Sequence, residues 1–210
     1  ESMSMVPMMG HTPSINPEVF ARDENVGIAY GMGLTAERVA QRWKVSREAQ
    51  DAFALASHQK ALAAQQAGEF TDEITPVEVT ERFPDLVGGA VGTRTRSVSL
   101  DEGPRAETTL EALAKLRTAF ASPKDPGGKP TGLGTVTAGN SSQTSDGAGA
   151  LIVVSERILK QFSLTPLARF VSFSVRGVPP DIMGIGPKEA IPAALKSAGL
   201  RQEDLGWIEL

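Results

Sequence analysis

Apolar residues recur at helical spacing in four stretches of the chain, and the longest stretch follows Ser46. Ser46 is a suitable N-cap, apolar residues between Ala52 and Ala63 share one face, and Gly68 is a suitable stop. This pattern predicts a long helix that forms a helical hairpin with a shorter one before it. The other helices are predicted at 35–42, 155–162 and 187–198, with Thr35 capping the first and Gly199 closing the last.

A further helix is predicted from a T-x-x-E capping box formed by Thr108 and Glu111. Its apolar side is expected to carry Leu113 and to extend as far as Phe120. The next segment, 122–134, has the sequence SPKDPGGKPTGLG, and its prolines and glycines break helices. It therefore predicts a surface loop.

Runs of β-branched and apolar residues predict strands between these helices. Residues 148–154 form a short apolar run, which indicates a buried strand, and residues 166–175 alternate in the manner of a second strand. A third is predicted at 207–210, and an edge strand interrupted by a proline at 74–79. Strand, helix and strand in that order predict a parallel crossover, so the fold class is α/β. The best domain boundary lies near 163–165.

The segment 134–150, GTVTAGNSSQTSDGAGA, joins two of these elements and is rich in small side chains. Such residues leave the main chain bare, so that amide groups and hydroxyls can contact a polar ligand. The same residue types also dominate ordinary turns, for conformational reasons. Taken by itself, the segment fits both a turn and a ligand site.

Gly31 and Gly33 form a G-x-G-x-x-A pattern with Ala36, just before a predicted helix. In dinucleotide-binding proteins such a turn follows a strand, whereas residues 26–29 make a poor strand. The pattern remains an alternative hypothesis, in which the chain retains NAD.

The composition is that of an ordinary globular protein, with 210 residues, 40% of them hydrophobic, and a net charge of −4. It provides no general cationic field for nucleic acid or an anionic membrane surface. No apolar run approaches the roughly 18 residues that a membrane span requires, and a cytoplasmic location is expected. The chain contains no cysteine, which excludes disulfides, thiolate metal sites and a cysteine nucleophile within it. No metal site is predicted.

Three ordered blocks resemble the thiolase family: ESMSM with the proline at position 7, GTVTAGNSSQTSDGA at 134–148, and GVPPDIMGIGP at 177–187. Shorter matches at 32–37 and 114–120 lie between them in the expected order. The resemblance covers the whole chain. It implies an α/β thiolase fold of two similar βαβαβαββ halves, with a loop domain inserted in the first half that binds coenzyme A.

The same resemblance implies the domain organisation. Residues 1–162 are expected to belong to the first half, with the CoA-binding loop domain at about 12–144, and residues 165–210 to begin the second half. The chain starts at Glu1 without a methionine and stops within the strand predicted at 207–210. It is therefore expected to be part of a longer protein.

The activity implied by the resemblance is that of an acetyl-CoA C-acyltransferase. Such an enzyme cleaves a 3-ketoacyl-CoA with CoA, through an acyl-cysteine, to acetyl-CoA and a shortened acyl-CoA. The blocks GNSSQTSDGA and PPDIMGIGP are more similar to degradative members, which favours fatty-acid β-oxidation. CoA is a substrate, no cofactor is expected, and the protein is expected to be a homodimer or homotetramer.

The catalytic motifs of the family, with their cysteines, histidine and Asn-Glu-Ala-Phe, fall outside these residues, so the chain by itself is expected to be inactive. One alternative is an acetoacetyl-CoA-forming biosynthetic thiolase. Another is a non-catalytic acyl-CoA or lipid-binding module of thiolase-like fold.

The resemblance also implies which residues contact the substrate. Ser142 corresponds to the serine of the pantetheine loop, Arg105 to a CoA-contacting arginine, and Phe120 to an aromatic residue near adenine and pantetheine. An arginine can pair with phosphate, although a solvated loop charge is the alternative for Arg105 and a core side chain for Phe120. The remaining expected contacts are Ala138 and Gly139 beside the serine, and Met32 and Met183 lining the acyl and catalytic cavity. Gly31 departs from the histidine found there in many biosynthetic members, and Ala112 from a CoA-contacting serine.

Overall fold

The computed structural model describes residues 16–120, 134–143, 145 and 147–210. Within these residues the helices and strands are α1 Met32–Trp43, α2 Arg47–Ala67, β1 Val77–Asp85, β2 Ala90–Val98, α3 Leu110–Ala114, α4 Glu156–Phe162 and α5 Gly186–Ala198. Short 3-10 segments occupy Pro17–Ala21, Asp23–Ala29, Pro180–Ile185 and Gln202–Asp204. The chain divides into two compact units.

The first unit contains the described residues of 16–45, 118–136 and 144–210. In it, α1 packs against the 3-10 segment Pro180–Ile185, whose Ile182 is buried. The carboxylate of Glu37 on α1 is buried and accepts hydrogen bonds from the Thr135 amide at 2.8 and 2.9 Å and from the Val136 amide at 2.8 Å. A charged oxygen that receives several main-chain donors fixes the course of the segment that supplies them.

The second unit contains residues 46–117 and 137–143. Its central element is α2, where Ser46 caps the first turn by accepting from the Ala49 amide and Gly68 ends the helix with a φ of 75°. The strands β1 and β2 form an antiparallel hairpin, with Val77 opposite Val98 and Asp85 opposite Ala90. Asp85 closes the turn of the hairpin by accepting from the amides of the two residues that follow Leu86.

The predicted helices are confirmed, with corrections at the ends of α1 and α3. Helix α1 begins at Met32 instead of Thr35, whose hydroxyl donates to the Met32 carbonyl from inside the first turn. Helix α3 is capped by Thr109 and not by Thr108. It ends at Ala114, so Phe120 is not on that helix, as it was expected to be. The two helices of the expected hairpin, α1 and α2, belong to different compact units.

Most of the predicted strands are not formed in the described residues. The expected edge strand at 74–79 overlaps the beginning of β1, but its hairpin partner β2 was not predicted. The segments 148–154, 166–175 and 207–210 pair with no strand among the described residues, so the crossover is absent there. Leu151 and Ile152 are more than 90% exposed where burial was expected. A strand forms only when a neighbour satisfies its main chain, and an apolar run cannot supply that neighbour.

Part of the sequence-based description lies outside the described residues. This applies to the ESMSM block at the start of the chain and to residues 122–133 of the predicted surface loop. The expected domain division at 163–165 and the loop domain at about 12–144 stay predictions. The second compact unit lies within the range expected for the loop domain.

Candidate functional site

The second unit contains a cavity of about 670 Å³. Its walls are the central part of α2, the segment 101–108, the end of α3, and the loop 138–143. A volume of this size is in the range of small-molecule sites. Four of the seven residues expected to bind substrate line it, namely Arg105, Ala138, Gly139 and Ser142.

The loop residue Asn140 is held by a network of hydrogen bonds. Its Oδ1 accepts from the Thr137 amide at 2.7 Å, and its Nδ2 donates to Asp51 Oδ1 at 3.0 Å. Because a main-chain amide can only donate and a carboxylate only accepts, these partners fix the orientation of the Asn140 amide. Ser141 Oγ donates to the Thr137 carbonyl at 2.6 Å and tightens the same turn.

Asp51 links this loop to helices α2 and α3. It is 4% exposed, and its Oδ2 accepts from Arg47 Nε at 2.7 Å. Arg47 Nη2 in turn donates to the Leu113 carbonyl at 2.5 Å and to the Leu116 carbonyl at 3.3 Å. The buried charge is therefore paired and hydrogen-bonded on both oxygens, which is the condition for burying it at tolerable cost.

The close packing around Gly139 leaves no space for a larger side chain. A Cβ placed on it would lie 2.5 Å from side-chain carbons of both Leu113 and Leu116. Its amide also donates to Thr137 Oγ1 at 3.2 Å. Ligand access was one explanation for the small residues of this segment and an ordinary turn the other, whereas at position 139 close packing on two leucines requires the glycine.

The opposite wall is tied to α2 by contacts that the sequence analysis did not predict. The Arg105 amide donates to His58 Nδ1 at 3.2 Å, and Gln65 Nε2 donates to the Asp101 carbonyl at 3.0 Å. The His58 side chain is half-buried. Since its partner is a main-chain amide 47 positions away, residue-type spacing gave no signal of this contact.

Two polar side chains on the cavity wall have no protein partner among the described residues. These are the guanidinium of Arg105, on an exposed residue, and the hydroxyl of Ser142. Asp101 and Glu107 also line the cavity, so its walls carry both signs of charge. An unpaired guanidinium at the edge of a cavity is suited to an anionic ligand group.

The other three expected substrate contacts, Met32, Met183 and Phe120, belong to the first unit. Met32 is 70% exposed at the start of α1, and Met183 lies exposed in the 3-10 segment Pro180–Ile185. The Phe120 ring packs over Gly33, where a Cβ would lie 2.0 Å from the ring. None of these three residues lines the cavity of the second unit.

The dinucleotide hypothesis finds no support in this geometry. Residues 23–29, where a strand is needed, form a 3-10 segment. The space that Gly33 leaves open is occupied by the Phe120 ring. A glycine in a nucleotide-binding turn is needed so that a ligand can approach the main chain, and here a side chain takes that place.

Residues 16–120, 134–143, 145 and 147–210 contain neither a candidate metal site nor a candidate membrane-spanning helix. No cluster of three or more His, Cys, Asp or Glu side chains among them could hold a metal ion. None of their helices has both the length and the apolar character needed to cross a bilayer.

The chain belongs to the thiolase family. Residues 1–157 match the family described as "Thiolase, N-terminal domain", and residues 164–210 match "Thiolase, C-terminal domain". This confirms the resemblance and, with it, the α/β thiolase fold class.

Known relatives agree with this assignment. Over its full length the chain is 48% identical to the 3-ketoacyl-CoA thiolase of Bacillus subtilis, of which it covers 50%. The dimeric peroxisomal thiolase of Saccharomyces cerevisiae matches 95% of the chain with a TM-score of 0.72 and 38% identity, and 45% of that structure is covered. Human mitochondrial 3-ketoacyl-CoA thiolase in complex with CoA matches 85% of the chain with a TM-score of 0.68 and 43% identity, and 39% of it is covered. The chain thus spans about half the length of the curated relatives it matches.

Proposed function

We propose that the protein is a degradative 3-ketoacyl-CoA thiolase and that the cavity of the second unit holds CoA. The observation that carries the proposal is the placement of Arg105 and Ser142 on one cavity of about 670 Å³, each with a polar group that no described residue engages. The CoA complex of the human mitochondrial relative supports the choice of ligand.

The two residues fit opposite parts of such a ligand. The guanidinium of Arg105 can donate two parallel hydrogen bonds to a phosphate, which matters in a chain with a net charge of −4. The hydroxyl of Ser142 can donate to or accept from a pantetheine amide. The roles expected for Ala138 and Gly139 as the wall beside Ser142, and for Phe120, Met32 and Met183, stay predictions.

The chemical step proposed for the protein is a two-stage acyl transfer through a cysteine thioester. The cysteine thiolate attacks the 3-keto carbon, the bond to the α-carbon breaks, and acetyl-CoA leaves after its α-carbon takes up a proton. CoA thiolate then attacks the acyl-cysteine, which releases the shortened acyl-CoA and regenerates the cysteine. None of the 210 residues is a cysteine, so this chain does not supply the nucleophile, and its proposed part in the reaction is to hold the substrate.

A second candidate function is a thiolase-like module that binds acyl-CoA without transforming it. The absence of cysteine from the 210 residues is the observation that favours it. Acyl-enzyme formation by the longer protein that is expected to contain this chain distinguishes the two candidates, because only an enzyme forms an acyl-cysteine. A biosynthetic direction differs from a degradative one in the preferred substrate, acetyl-CoA in the first case and a longer 3-ketoacyl-CoA in the second.

The experiment is a pair of measurements. Calorimetric titration of the 210-residue chain with CoA is expected to show saturable binding that Arg105→Gln weakens about tenfold, the equivalent of about 1.4 kcal/mol. The same chain is expected to cleave no 3-ketoacyl-CoA, whereas the longer protein does so and accumulates acyl-enzyme when CoA is withheld. Absence of CoA binding contradicts the proposed site, and absence of acyl-enzyme contradicts the proposed activity.

Three further expectations accompany this function. The protein is proposed to act in fatty-acid β-oxidation, to assemble as a homodimer or homotetramer, and to reside in the cytoplasm. The dimeric yeast relative supports self-association. Light scattering and cell fractionation of the longer protein test the assembly and the location.

A further inference from the structure

One face of α2 carries a polar stripe that contacts both walls of the cavity. We use the name α2 stripe for Asp51, His58 and Gln65, which follow one another at intervals of about two helical turns and therefore share a face. Asp51 holds Asn140 in the loop wall. His58 and Gln65 hold Arg105 and Asp101 in the opposite wall.

The segment 101–105 is attached to this stripe at both ends. Gln65 Nε2 donates to the carbonyl of Asp101, and Asp101 Oδ1 accepts from the Gly103 amide at 3.1 Å, which folds the segment back on itself. His58 Nδ1 accepts from the amide of Arg105. The two attachment points on α2 are about 10 Å apart along the helix axis. The main chain of Arg105 is thereby placed relative to a rigid helix instead of following a free loop.

The contact with Arg105 sets a chemical requirement on His58. A main-chain amide can only donate, so Nδ1 must present its lone pair and the ring must carry its proton on Nε2. Asn at this position offers a carbonyl oxygen close to the place of Nδ1, whereas Leu fills similar space without an acceptor. The charged or titratable neighbours on the cavity wall are Arg105 itself, Asp101 and Glu107.

We propose that His58 is a positioning residue for Arg105: its imidazole fixes the Arg105 main chain so that the guanidinium meets a CoA phosphate. The proposal rests on the function proposed above. Its specific consequence is that His58 contributes to binding of the phosphate-bearing part of CoA and not to binding of pantetheine, which contacts the other wall at Ser142. A merely structural role predicts equal loss for both ligands.

The test uses the 210-residue chain with His58→Leu, His58→Asn and the control Gln59→Leu. Gln59 is exposed on the same helix, outside the stripe, and forms no hydrogen bond or ion pair among the described residues. Binding of CoA and of pantetheine is followed by titration of amide shifts in ¹H–¹⁵N spectra, which also report whether each variant is folded. Arg105→Gln serves as the reference for loss of the phosphate contact.

His58→Leu is expected to weaken CoA binding by up to about tenfold and no more than Arg105→Gln does, because it acts through Arg105, while pantetheine binding changes by less than about twofold. His58→Asn is expected to restore CoA binding to within about threefold of wild type. In the unliganded chain the Arg105 amide resonance is expected to shift in His58→Leu and to stay near its wild-type position in His58→Asn. Gln59→Leu is expected to change neither binding nor that resonance.

Three results would overturn the role of His58 while the proposed function stands. They are equal losses of CoA and pantetheine binding, failure of His58→Asn to rescue, and an Arg105 amide resonance that does not move in His58→Leu. If the wild-type chain binds no CoA, the proposed function itself is wrong, and the role of His58 in phosphate binding is wrong with it.

Discussion

Asn140 Nδ2 donates a hydrogen bond to Asp51 Oδ1 across 3.0 Å, although 89 positions separate the two residues in the chain. Through this contact a helix residue that is 4% exposed sets the conformation of the loop that carries Ser142. Asp51 also accepts from Arg47, so a single carboxylate serves the loop and the helix together. Loop geometry at the cavity therefore depends on a residue that itself does not line it.

Substitution of Asp51 by Ala is expected to destabilise the chain and to weaken CoA binding. It leaves the half-buried Arg47 guanidinium without its carboxylate and Asn140 Nδ2 without this acceptor, which costs about 3–5 kcal/mol when a buried ion pair is broken. Urea unfolding measures the loss of stability, and CoA titration measures the loss of binding.

Asp72→Ala is the matched control, because Asp72 is exposed in the same unit and its side chain forms no hydrogen bond or ion pair among the described residues. It is expected to change the free energy of unfolding by no more than about 0.5 kcal/mol. If Asp51→Ala behaves like this control, the link between Asp51 and the loop is unimportant.

Gly139→Ala is expected to disturb the loop by steric conflict alone. The added methyl group would lie 2.5 Å from carbons of both Leu113 and Leu116, and Leu113 is buried and cannot swing away freely. Overpacking of this kind costs about 1–3 kcal/mol. Gly147→Ala is the control, since a Cβ at Gly147 meets nothing within 4 Å. Equal unfolding free energies for the two variants would show that the loop does not pack as described.

Local chemistry explains which parts of this molecule could be predicted from sequence. Both predicted ends of α2 are confirmed, because each depends only on local features of the chain. The Ser46 cap needs a main-chain amide three residues away, and the stop at Gly68 needs a residue that readily adopts a positive φ. The strand expected at 148–154 was wrong because pairing depends on a partner segment that the run itself does not specify.

The candidate site also has residues that could be predicted from sequence and contacts that could not. Ser142 and Arg105 were named from the family resemblance, and the structure places both on one cavity. The contacts that hold that cavity together, Asp51 with Asn140 and His58 with Arg105, join residues 89 and 47 positions apart. A side chain that bonds to a group far away in the chain leaves no sequence motif, so neither contact of these two helix residues could be predicted.

The β1–β2 hairpin is expected to respond to acid through Glu81. Hydrogen bonds from Arg94, and then from Arg96, hold the pKa of the Glu81 carboxyl below its ordinary value of 4.5. Because the folded-state pKa is lowered, the stabilisation is fully present above pH 4.5 and is lost as the pH falls through the lowered value. A ¹³C titration of the Glu81 carboxyl measures the shift, which is expected to disappear in the Arg94→Gln, Arg96→Gln double variant. A carboxyl that titrates identically in both proteins contradicts the ion pairs.

Glu37→Gln is expected to loosen the entry to the loop in the first unit. The Glu37 carboxylate accepts from the Thr135 amide and hydroxyl and from the Val136 amide at 2.8–2.9 Å. A glutamine places an NH₂ group, which cannot accept, against one or more of these donors, and an unsatisfied buried donor costs about 1–3 kcal/mol. The variant is therefore expected to unfold at lower urea concentration and to show faster hydrogen exchange at the amides of residues 135 and 136.

Glu189→Gln on α5, exposed in the same unit, controls for loss of charge. Faster exchange confined to Glu37→Gln identifies the buried carboxylate as the group that holds this segment, whereas equal exchange in the two variants excludes it.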